Sequence, residues 1–408
     1  MKQKYLILFL AFGLFCTVAA AQTVGSCDGD RFINEVFTEV EISTIQYGEN
    51  VNYGVTEALI MDVYEPEGDT AAARPVAIFA HGGGFIFGSR TEMDYLCTEY
   101  TKRGYVAATI DYRKLQVTGL DSVNAAEGLI RCMQDMKAAV RYFRNDAMTA
   151  NTYRVDTNFI FVGGYSAGAI AALHTAYWDA EDMAPEYIEQ LLITEGGLEG
   201  QSSDFMNVSS SVQGVINLSG GLIDADWVAA DEPPLASYHG TDDGTVFINT
   251  GLAAGALLLE GSEVIHARAD EVGLKDYFYK LEGGGHDGIF EVGPFAEDYN
   301  TFLEETWMFQ ESILCSEVSS VGESLAQPDF ATLAPNPVQG QLFVENTTGE
   351  TLKLQLFSAA GALVWDGLIT SYNESINLSH LSSGIYFYRL RTQSRKGSQQ
   401  GKLVVAPR

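Results

Sequence analysis

One serine in this sequence has the surroundings of a reactive nucleophile. Ser166 is the central residue of a Gly-Tyr-Ser-Ala-Gly sequence at residues 164–168. An apolar run at 159–162 is typical of a buried strand, and the small and apolar residues at 167–173 favour a helix. A serine on a sharp strand-to-helix turn has strained backbone and an exposed hydroxyl, and the helix N-terminus directs positive charge toward it. The pattern therefore predicts that Ser166 is a nucleophile.

His286 is the predicted general base. A serine hydroxyl is a weak nucleophile and needs an adjacent base. Of the six histidines in the chain, only His286 lies in a glycine-rich loop just after a late predicted strand, at 277–281. We expect this loop to bring the imidazole close to another stretch of backbone.

The acid that orients the base is predicted to follow the apolar strand at 235–238. His239 follows that strand, and Asp242 and Asp243 lie three and four residues after His239. A carboxylate there would accept a hydrogen bond from the base and stabilise the imidazolium. Spacing alone leaves Asp242 and Asp243 both open, whereas His239 is assigned a structural or positioning role.

Backbone donors for a developing oxyanion are predicted in a glycine-rich loop. The strand at 76–80 leads into His81 and three glycines at 82–84, whose N–H groups can face a ligand without interference from side chains. The N–H of Ala167 is a further donor at the start of the predicted helix. The alternative is a tight turn without catalytic meaning. Neither glycine pattern of nucleotide-binding loops occurs at a strand–helix junction.

The elements that must position these residues alternate between strands and helices. This alternation predicts an α/β fold in which a mostly parallel sheet has helices on both faces. An acidic insertion at 178–211, with a predicted helix at 185–193, either roofs the site or is an ordinary surface excursion. The predicted strands are 38–45, 59–64, 76–80, 105–110, 159–162, 212–218, 235–238 and 277–281, and the other helices are 92–102, 125–145, 251–260 and 295–314.

The composition changes near residue 316. Residues 316–329 are polar and are interpreted as a linker, and short strands separated by turn signals follow it. We therefore expect a small all-β sandwich at 330–408. These boundaries divide the chain into a leader at 1–21, a catalytic domain at 22–315, the linker and the sandwich.

The N-terminus and the net charge indicate an exported protein. Residues 1–21 have a basic start, an apolar stretch and a small-residue cleavage site, as in a secretory signal peptide. A retained membrane anchor is the alternative. The formal net charge of −30 argues against binding to nucleic acid or to an anionic membrane surface.

Four cysteines remain after the predicted leader: Cys27, Cys97, Cys132 and Cys315. An even number in an oxidising compartment predicts two disulfides. The sequence does not choose among the three possible pairings. A bridge between Cys27 and Cys315 would join the ends of the catalytic domain.

Together, these motifs resemble those of the α/β-hydrolase carboxylesterases. The similarity covers roughly residues 38–314 and is greatest to the esterase/lipase group that carries the His-Gly-Gly-Gly motif and is related to hormone-sensitive lipase. This resemblance implies that the acid is Asp243, four residues after His239, and that Gly83 and Gly84 are the oxyanion donors. It also implies that no cofactor is needed. The chain differs from that group because it lacks a long N-terminal cap.

The C-terminal region resembles the type A sorting domain of type IX secretion substrates. The similarity rests on Ala-Pro-Asn-Pro at 334–337, Leu-Ser-Ser-Gly-Ile-Tyr at 381–386 and Lys-Leu-Val-Val at 402–405. It implies that the type IX machinery exports the chain across the outer membrane, to the cell surface or beyond. A small carbohydrate-binding or adhesion sandwich is the alternative.

The expected function is that of a secreted serine carboxylesterase that works through an acyl-enzyme. We expect its substrates to be acetyl or feruloyl esters on polysaccharide, or short-chain acyl esters. The alternatives are a serine peptidase or lipase of the same fold, and a non-catalytic surface binding protein.

Overall fold

The computed structural model describes residues 30–290, 292–315, 331–347, 349–358, 363–392 and 398–406. The predicted leader at 1–21, the predicted linker at 316–329 and Cys27 lie outside these residues.

An eight-stranded sheet forms the centre of the fold. Its strand order is β1-β2-β4-β3-β5-β6-β8-β11, and β7, β10 and β9 form a small separate sheet. The pairs β1–β2 and β2–β4 are antiparallel, and every other pair in the large sheet is parallel. The strands are β1 (Val40–Asn52), β2 (Val55–Pro66), β3 (Arg74–Ala80), β4 (Val106–Ile110), β5 (Val155–Tyr165), β6 (Gly214–Leu218), β7 (Gly221–Leu222), β8 (Leu235–Gly240), β9 (Thr250–Ala253), β10 (Leu257–Gly261) and β11 (Asp276–Leu281).

Helices cover both faces of the large sheet. Val76 and Ile78 of β3 face an apolar core shared with α2, α3 and α5, whereas Ala77 and Phe79 face a second core shared with α1 and α6. This alternation follows from the two-residue period of a strand, and it confirms the predicted mostly parallel α/β fold. The helices are α1 (Asp94–Lys102), α2 (Ser122–Met148), α3 (Ala167–Tyr177), α4 (Glu186–Thr194), α5 (Ser262–Val272) and α6 (Ala296–Leu314), with 3-10 turns at Arg90–Met93 and Ala225–Trp227.

The helix predicted at 251–260 is wrong, because this segment is the hairpin β9–β10. A three-residue turn at 254–256 joins the paired residues Ala253 and Leu257, and Ala254 and Gly255 within it both have positive φ. Leu257 and Leu259 are buried, whereas Leu258 between them is exposed, which is the period of a strand. Alanine and leucine favour a helix, but the turn and the burial of alternate residues outweigh that preference. The helix in this region is α5, which begins at Ser262.

The acidic insertion packs against α2. Its helix α4 buries Ile188 and Leu192 in the core that α2 shares. Glu195 pairs with Arg131 of α2 at 3.0 Å, and Glu199 pairs with Arg141 of α2 at 2.6 Å. The arginine of each pair is buried, so the two ion pairs hold the insertion against α2.

Two antiparallel sheets form the C-terminal region, as the predicted sandwich requires. One has the order β12-β13-β16 and the other β15-β14-β17-β18. Leu342 and Val344 of the first sheet share a core with Leu354 and Leu390 of the second. The strands are β12 (Ala331–Ala334), β13 (Gln341–Asn346), β14 (Leu352–Ser358), β15 (Leu363–Ile369), β16 (Asn373–Asn377), β17 (Gly384–Thr392) and β18 (Ser398–Val405).

The prediction of two disulfides is wrong. Cys97 and Cys132 are free thiols, buried in different cores on opposite faces of the sheet. Cys315 is disulfide-bonded. An even count in an oxidising compartment does not distinguish a bridged cysteine from one that packs as a small apolar side chain.

Candidate active site

The register of the parallel strands brings the functional loops to one edge of the sheet. The carboxyl ends of neighbouring parallel strands lie side by side, and loops that leave them share the crevice beyond. The oxyanion loop follows β3, the nucleophile follows β5, and the acid and base loops follow β8 and β11. The aligned partners at these ends are Ala80 with Gly164, Tyr165 with Leu218, and Gly240 with Leu281.

Ser166 lies on the strained turn that the sequence predicts. Its φ is 53° and its ψ is −117°, a combination that costs about 1–3 kcal/mol in a residue other than glycine. The adjacent backbone leaves no room for side chains, since a Cβ on Gly164 or Gly168 would lie 2.4 or 2.0 Å from the carbonyl oxygen of Ala80. The Ser166 N–H donates to the carbonyl of Leu218 at 2.9 Å, which holds the turn in place.

The structure brings Ser166, His286 and Asp243 together in one hydrogen-bonded chain. Nε2 of His286 lies 2.8 Å from Oγ of Ser166, and Nδ1 lies 2.6 Å from Oδ2 of Asp243. A carboxylate only accepts, so Nδ1 carries the proton and Nε2 is left to accept from the serine hydroxyl. This is the tautomer that a general base toward Ser166 requires.

Asp243 is held as a carboxylate. Burial by itself raises the pKa of this carboxyl, but hydrogen bonds from His239 and His286 outweigh it and lower the pKa well below its ordinary value. Its Oδ1 also accepts the N–H groups of Thr245 and Val246, each at 2.8 Å. Hydrogen bonds to the charged form favour ionisation.

Asp242 is placed differently from Asp243. Its side chain is exposed, and its backbone N–H donates to the carbonyl of Gly284 at 2.9 Å. Asp242 therefore fastens the acid loop to the base loop through its backbone, whereas the carboxylate that reaches His286 belongs to Asp243.

The glycine loop after β3 is shaped by left-handed backbone at Gly83 and Gly84. Their φ angles are 101° and 61°, and a Cβ on Gly83 would lie 2.5 Å from the carbonyl oxygen of Phe87. The Tyr112 hydroxyl supports the loop, since it lies 3.1 Å from the carbonyl oxygens of both His81 and Gly82. The Ala167 N–H belongs to the first turn of α3, where a helix leaves its N–H groups without intrahelical partners.

Two features of the site were not predicted from the sequence. The Tyr165 hydroxyl shares its one proton between the carbonyl oxygen of His286 and the side chain of Asp287. Behind Asp243, a fully buried polar chain links His239 to Ser262 and Asn217. Tyr165 is part of the serine motif, so the sequence indicates that it lies near the nucleophile. The motif does not indicate which groups its hydroxyl contacts. Ser262 and Asn217 have no motif that would identify them.

Comparison with known families confirms both resemblances that the sequence indicates. Residues 61–224 match the BD-FAE family, a family of α/β-hydrolase esterase domains. Residues 332–406 match the family described as secretion system C-terminal sorting domain. The first match begins within β2, ends just after β7 and includes the oxyanion loop and Ser166, whereas Asp243 and His286 lie beyond it. In the described part of the chain, no helix has the length and apolar character that crossing a membrane requires.

Individual relatives are similar over part of their length. Esterase LipC of Mycobacterium tuberculosis is 29% identical over 190 residues, which cover 46% of this chain and 39% of LipC. A non-reducing polyketide synthase, atr1, of Stereocaulon alpinum is 29% identical over 174 residues, covering 41% of this chain and 7% of the synthase. The chain thus spans less than half of either relative. A butyrate-bound esterase of Thermogutta terrifontis has a TM-score of 0.49 and 22% identity, covering 66% of this chain and 94% of its own.

Proposed function

We propose that this protein is a secreted serine carboxylesterase in which Ser166, His286 and Asp243 form the catalytic triad. The observation that carries the proposal is the chain of two short hydrogen bonds, 2.6 Å from Asp243 to His286 and 2.8 Å from His286 to Ser166. The strained turn at Ser166 and the glycine loop beside it supply the remaining parts of such a site.

In the acylation step, Oγ of Ser166 attacks the carbonyl carbon of the ester while Nε2 of His286 takes the hydroxyl proton. Asp243 stabilises the imidazolium that forms and keeps its ring oriented. The N–H groups of Gly83, Gly84 and Ala167 donate to the oxyanion of the tetrahedral intermediate. Such preorganised donors stabilise charge that develops only in the transition state.

The intermediate collapses when the alcohol leaves with the proton from His286. A water molecule then attacks the acyl-enzyme, His286 takes its proton, and the second tetrahedral intermediate releases the acid and restores Ser166. Each atom that moves belongs to the substrate, to water or to one of these side chains, so the cycle needs no cofactor.

A fluorophosphonate probe tests this assignment, because it phosphonylates a serine only where a base and an oxyanion site activate it. We expect one covalent adduct on the folded protein, mapped by peptide mass spectrometry to Ser166. Heat-unfolded protein should not react. Folded protein without an adduct would favour the alternative, a surface protein that binds without catalysis.

The substrates proposed are acetyl or feruloyl esters carried on polysaccharide, and short-chain acyl esters. The match of residues 61–224 to an esterase family supports an ester as the reacting group. A series of p-nitrophenyl esters from acetate to laurate, with acetylated xylan, methyl ferulate and a peptide substrate, tests the class. Turnover limited to long acyl chains would indicate a lipase, and turnover of peptides alone would indicate a peptidase.

Export is proposed to use the leader at 1–21 and the C-terminal region at 330–408, with the catalytic domain at 22–315 as cargo. The match of residues 332–406 to a secretion sorting family supports the type IX machinery as partner. Deleting residues 330–408 in a host that has this machinery should leave the esterase in the periplasm. Unchanged release of the truncated chain would contradict the assignment.

A further inference from the structure

Tyr165 connects the nucleophile to the loop that carries the base. Its hydroxyl lies 2.7 Å from Oδ1 of Asp287 and 3.0 Å from the backbone carbonyl oxygen of His286. Tyr165 immediately precedes Ser166 at the end of β5, so this contact spans about 120 residues of sequence. One side chain therefore joins the backbone of the nucleophile to the backbone of the proposed base.

The ring of Tyr165 fills the space between the oxyanion loop and the base loop. A Cβ on Gly82 would lie 2.9 Å from the ring and 3.3 Å from Cβ of Ser166. The ring also meets Phe290 edge to face, with centroids 4.8 Å apart and planes at 77°. Packing of the ring therefore restricts the position of Tyr165 independently of the hydrogen bonds that its hydroxyl makes.

The base loop has little of its own to hold it. Three glycines at 283–285 precede His286, and Gly288 follows with a φ of 71°. Glycine has no side chain to pack and loses the most backbone freedom on ordering. A loop of this composition depends on contacts with residues outside the loop. The hydrogen bond from Tyr165 to the carbonyl of His286 is such a contact, and it is made at the residue whose position matters for catalysis.

Resting on the proposed function, we propose that Tyr165 is a positioning residue that holds His286 at hydrogen-bond distance from Ser166 through the His286 carbonyl and the Asp287 carboxylate. The C-terminal end of β5 then positions both the nucleophile and the base. A catalytic base gains from being held within about half an ångström of its working position.

The hydroxyl remains a donor over the working pH range. Burial, followed by the hydrogen bond to Asp287, raises the pKa of Tyr165 well above its ordinary value. The Tyr165 hydroxyl therefore keeps its proton, and its hydrogen bond to the base loop persists, at every pH at which the protein is folded.

The test compares Tyr165→Phe with a matched control. The substitution removes only the hydroxyl, and we expect kcat for p-nitrophenyl acetate to fall about tenfold, the effect of one well-placed hydrogen bond. KM should be unchanged, and the rate of fluorophosphonate labelling should fall by the same factor. Tyr279→Phe is the control, since Tyr279 donates to Oδ1 of Asp298 at 2.7 Å outside the triad. Its kcat should equal that of the unmodified protein.

A double-mutant cycle with Asp287→Ala adds a readout that a structural role would not give. Asp287 is exposed, so this variant also decides the question if Tyr165→Phe does not fold. We expect Asp287→Ala to lower kcat, and the double variant to be no slower than Tyr165→Phe alone.

Any of three results in the single variants would overturn the inference: an unchanged kcat in Tyr165→Phe, an equal loss in Tyr279→Phe, or a raised KM with constant kcat in Tyr165→Phe. Additive losses in the cycle would also contradict it. Failure of the proposed function is a separate result, because there Ser166→Ala would keep full activity.

Discussion

Nε2 of His239 lies 3.3 Å from Oδ2 of Asp243, the carboxylate oxygen that also accepts a hydrogen bond from His286. The same Nε2 lies 2.9 Å from the carbonyl oxygen of Val246, so it must carry the proton. Nδ1 accepts from the Ser262 hydroxyl at 2.8 Å, which in turn accepts from Asn217 at 2.9 Å. Buried neighbours thus fix one tautomer of His239, in which the N–H that is bonded to Val246 also lies beside the acid.

Replacing His239 by phenylalanine should lower kcat by about tenfold, the effect of one well-placed hydrogen bond. The loop that carries Asp243 would lose the bond from Nε2 of His239 to the carbonyl of Val246, and the acid would lose a polar neighbour. His239→Gln keeps an N–H donor and should recover part of the loss. Steady-state kinetics on p-nitrophenyl acetate measures both variants, and an unchanged kcat in His239→Phe would mean that the ring does not help to place the acid.

Asp243→Asn and Asp242→Asn distinguish the two candidate acids. An asparagine at position 243 favours the wrong tautomer of His286, and kcat should fall by about 10³–10⁴-fold. Asp242 contributes through its backbone, which asparagine keeps, so kcat of Asp242→Asn should stay within about twofold of that of the unmodified protein. Steady-state kinetics on p-nitrophenyl acetate gives both values. Equal losses in the two variants would contradict the assignment of Asp243.

Gly83→Ala should damage the oxyanion loop specifically. A Cβ there would lie 2.5 Å from the carbonyl oxygen of Phe87, so the loop must shift and turn its N–H away from the oxyanion. The loss of one donor lowers kcat by about 10²–10³-fold. Gly68→Ala is the control, because Gly68 has a φ of 73° but open space around it. If both variants kept full activity, the glycine loop would not be the oxyanion site.

His174 should make the protein less stable as the pH falls. Burial lowers the pKa of His174 from its ordinary 6.5 to about 4, so the folded state keeps this ring neutral. Between these values the unfolded chain binds a proton that the folded chain does not. The free energy of unfolding should therefore fall from pH 6.5 toward pH 4, by about 2–3 kcal/mol at pH 4.5.

Urea unfolding at pH 7 and pH 4.5 measures this loss. His174→Gln cannot titrate, and the difference between its two unfolding free energies should be smaller by that amount. His380→Gln, at an exposed position, should behave like the unmodified protein. An undiminished pH dependence in His174→Gln would exclude His174 as its source.

The sequence predicts those site residues whose type and neighbouring residues together indicate a function. Ser166 lies between an apolar strand and a helix, and His286 lies in a glycine loop after a strand, so short segments identify them. Asp243 needed the family resemblance, because Asp242 has nearly the same context. The fold class followed from the alternation of elements.

Other features depend on distant partners and leave no local pattern. The segment at 251–260 has the composition of a helix, yet Leu257 and Leu259 become buried as part of a hairpin. Cys97 and Cys132 lie on opposite faces of the sheet, which only the order of the strands determines. The contact of Tyr165 with Asp287 likewise depends on the path of the base loop.

The hydrolysis of p-nitrophenyl acetate by the folded protein and by Ser166→Ala is the most direct test of the central claim. The account predicts turnover by the unmodified protein and a loss of about 10⁶-fold in kcat without the hydroxyl, which in practice is activity at background. Circular dichroism should show that both proteins are folded. Equal rates of hydrolysis by the two folded proteins would contradict the account.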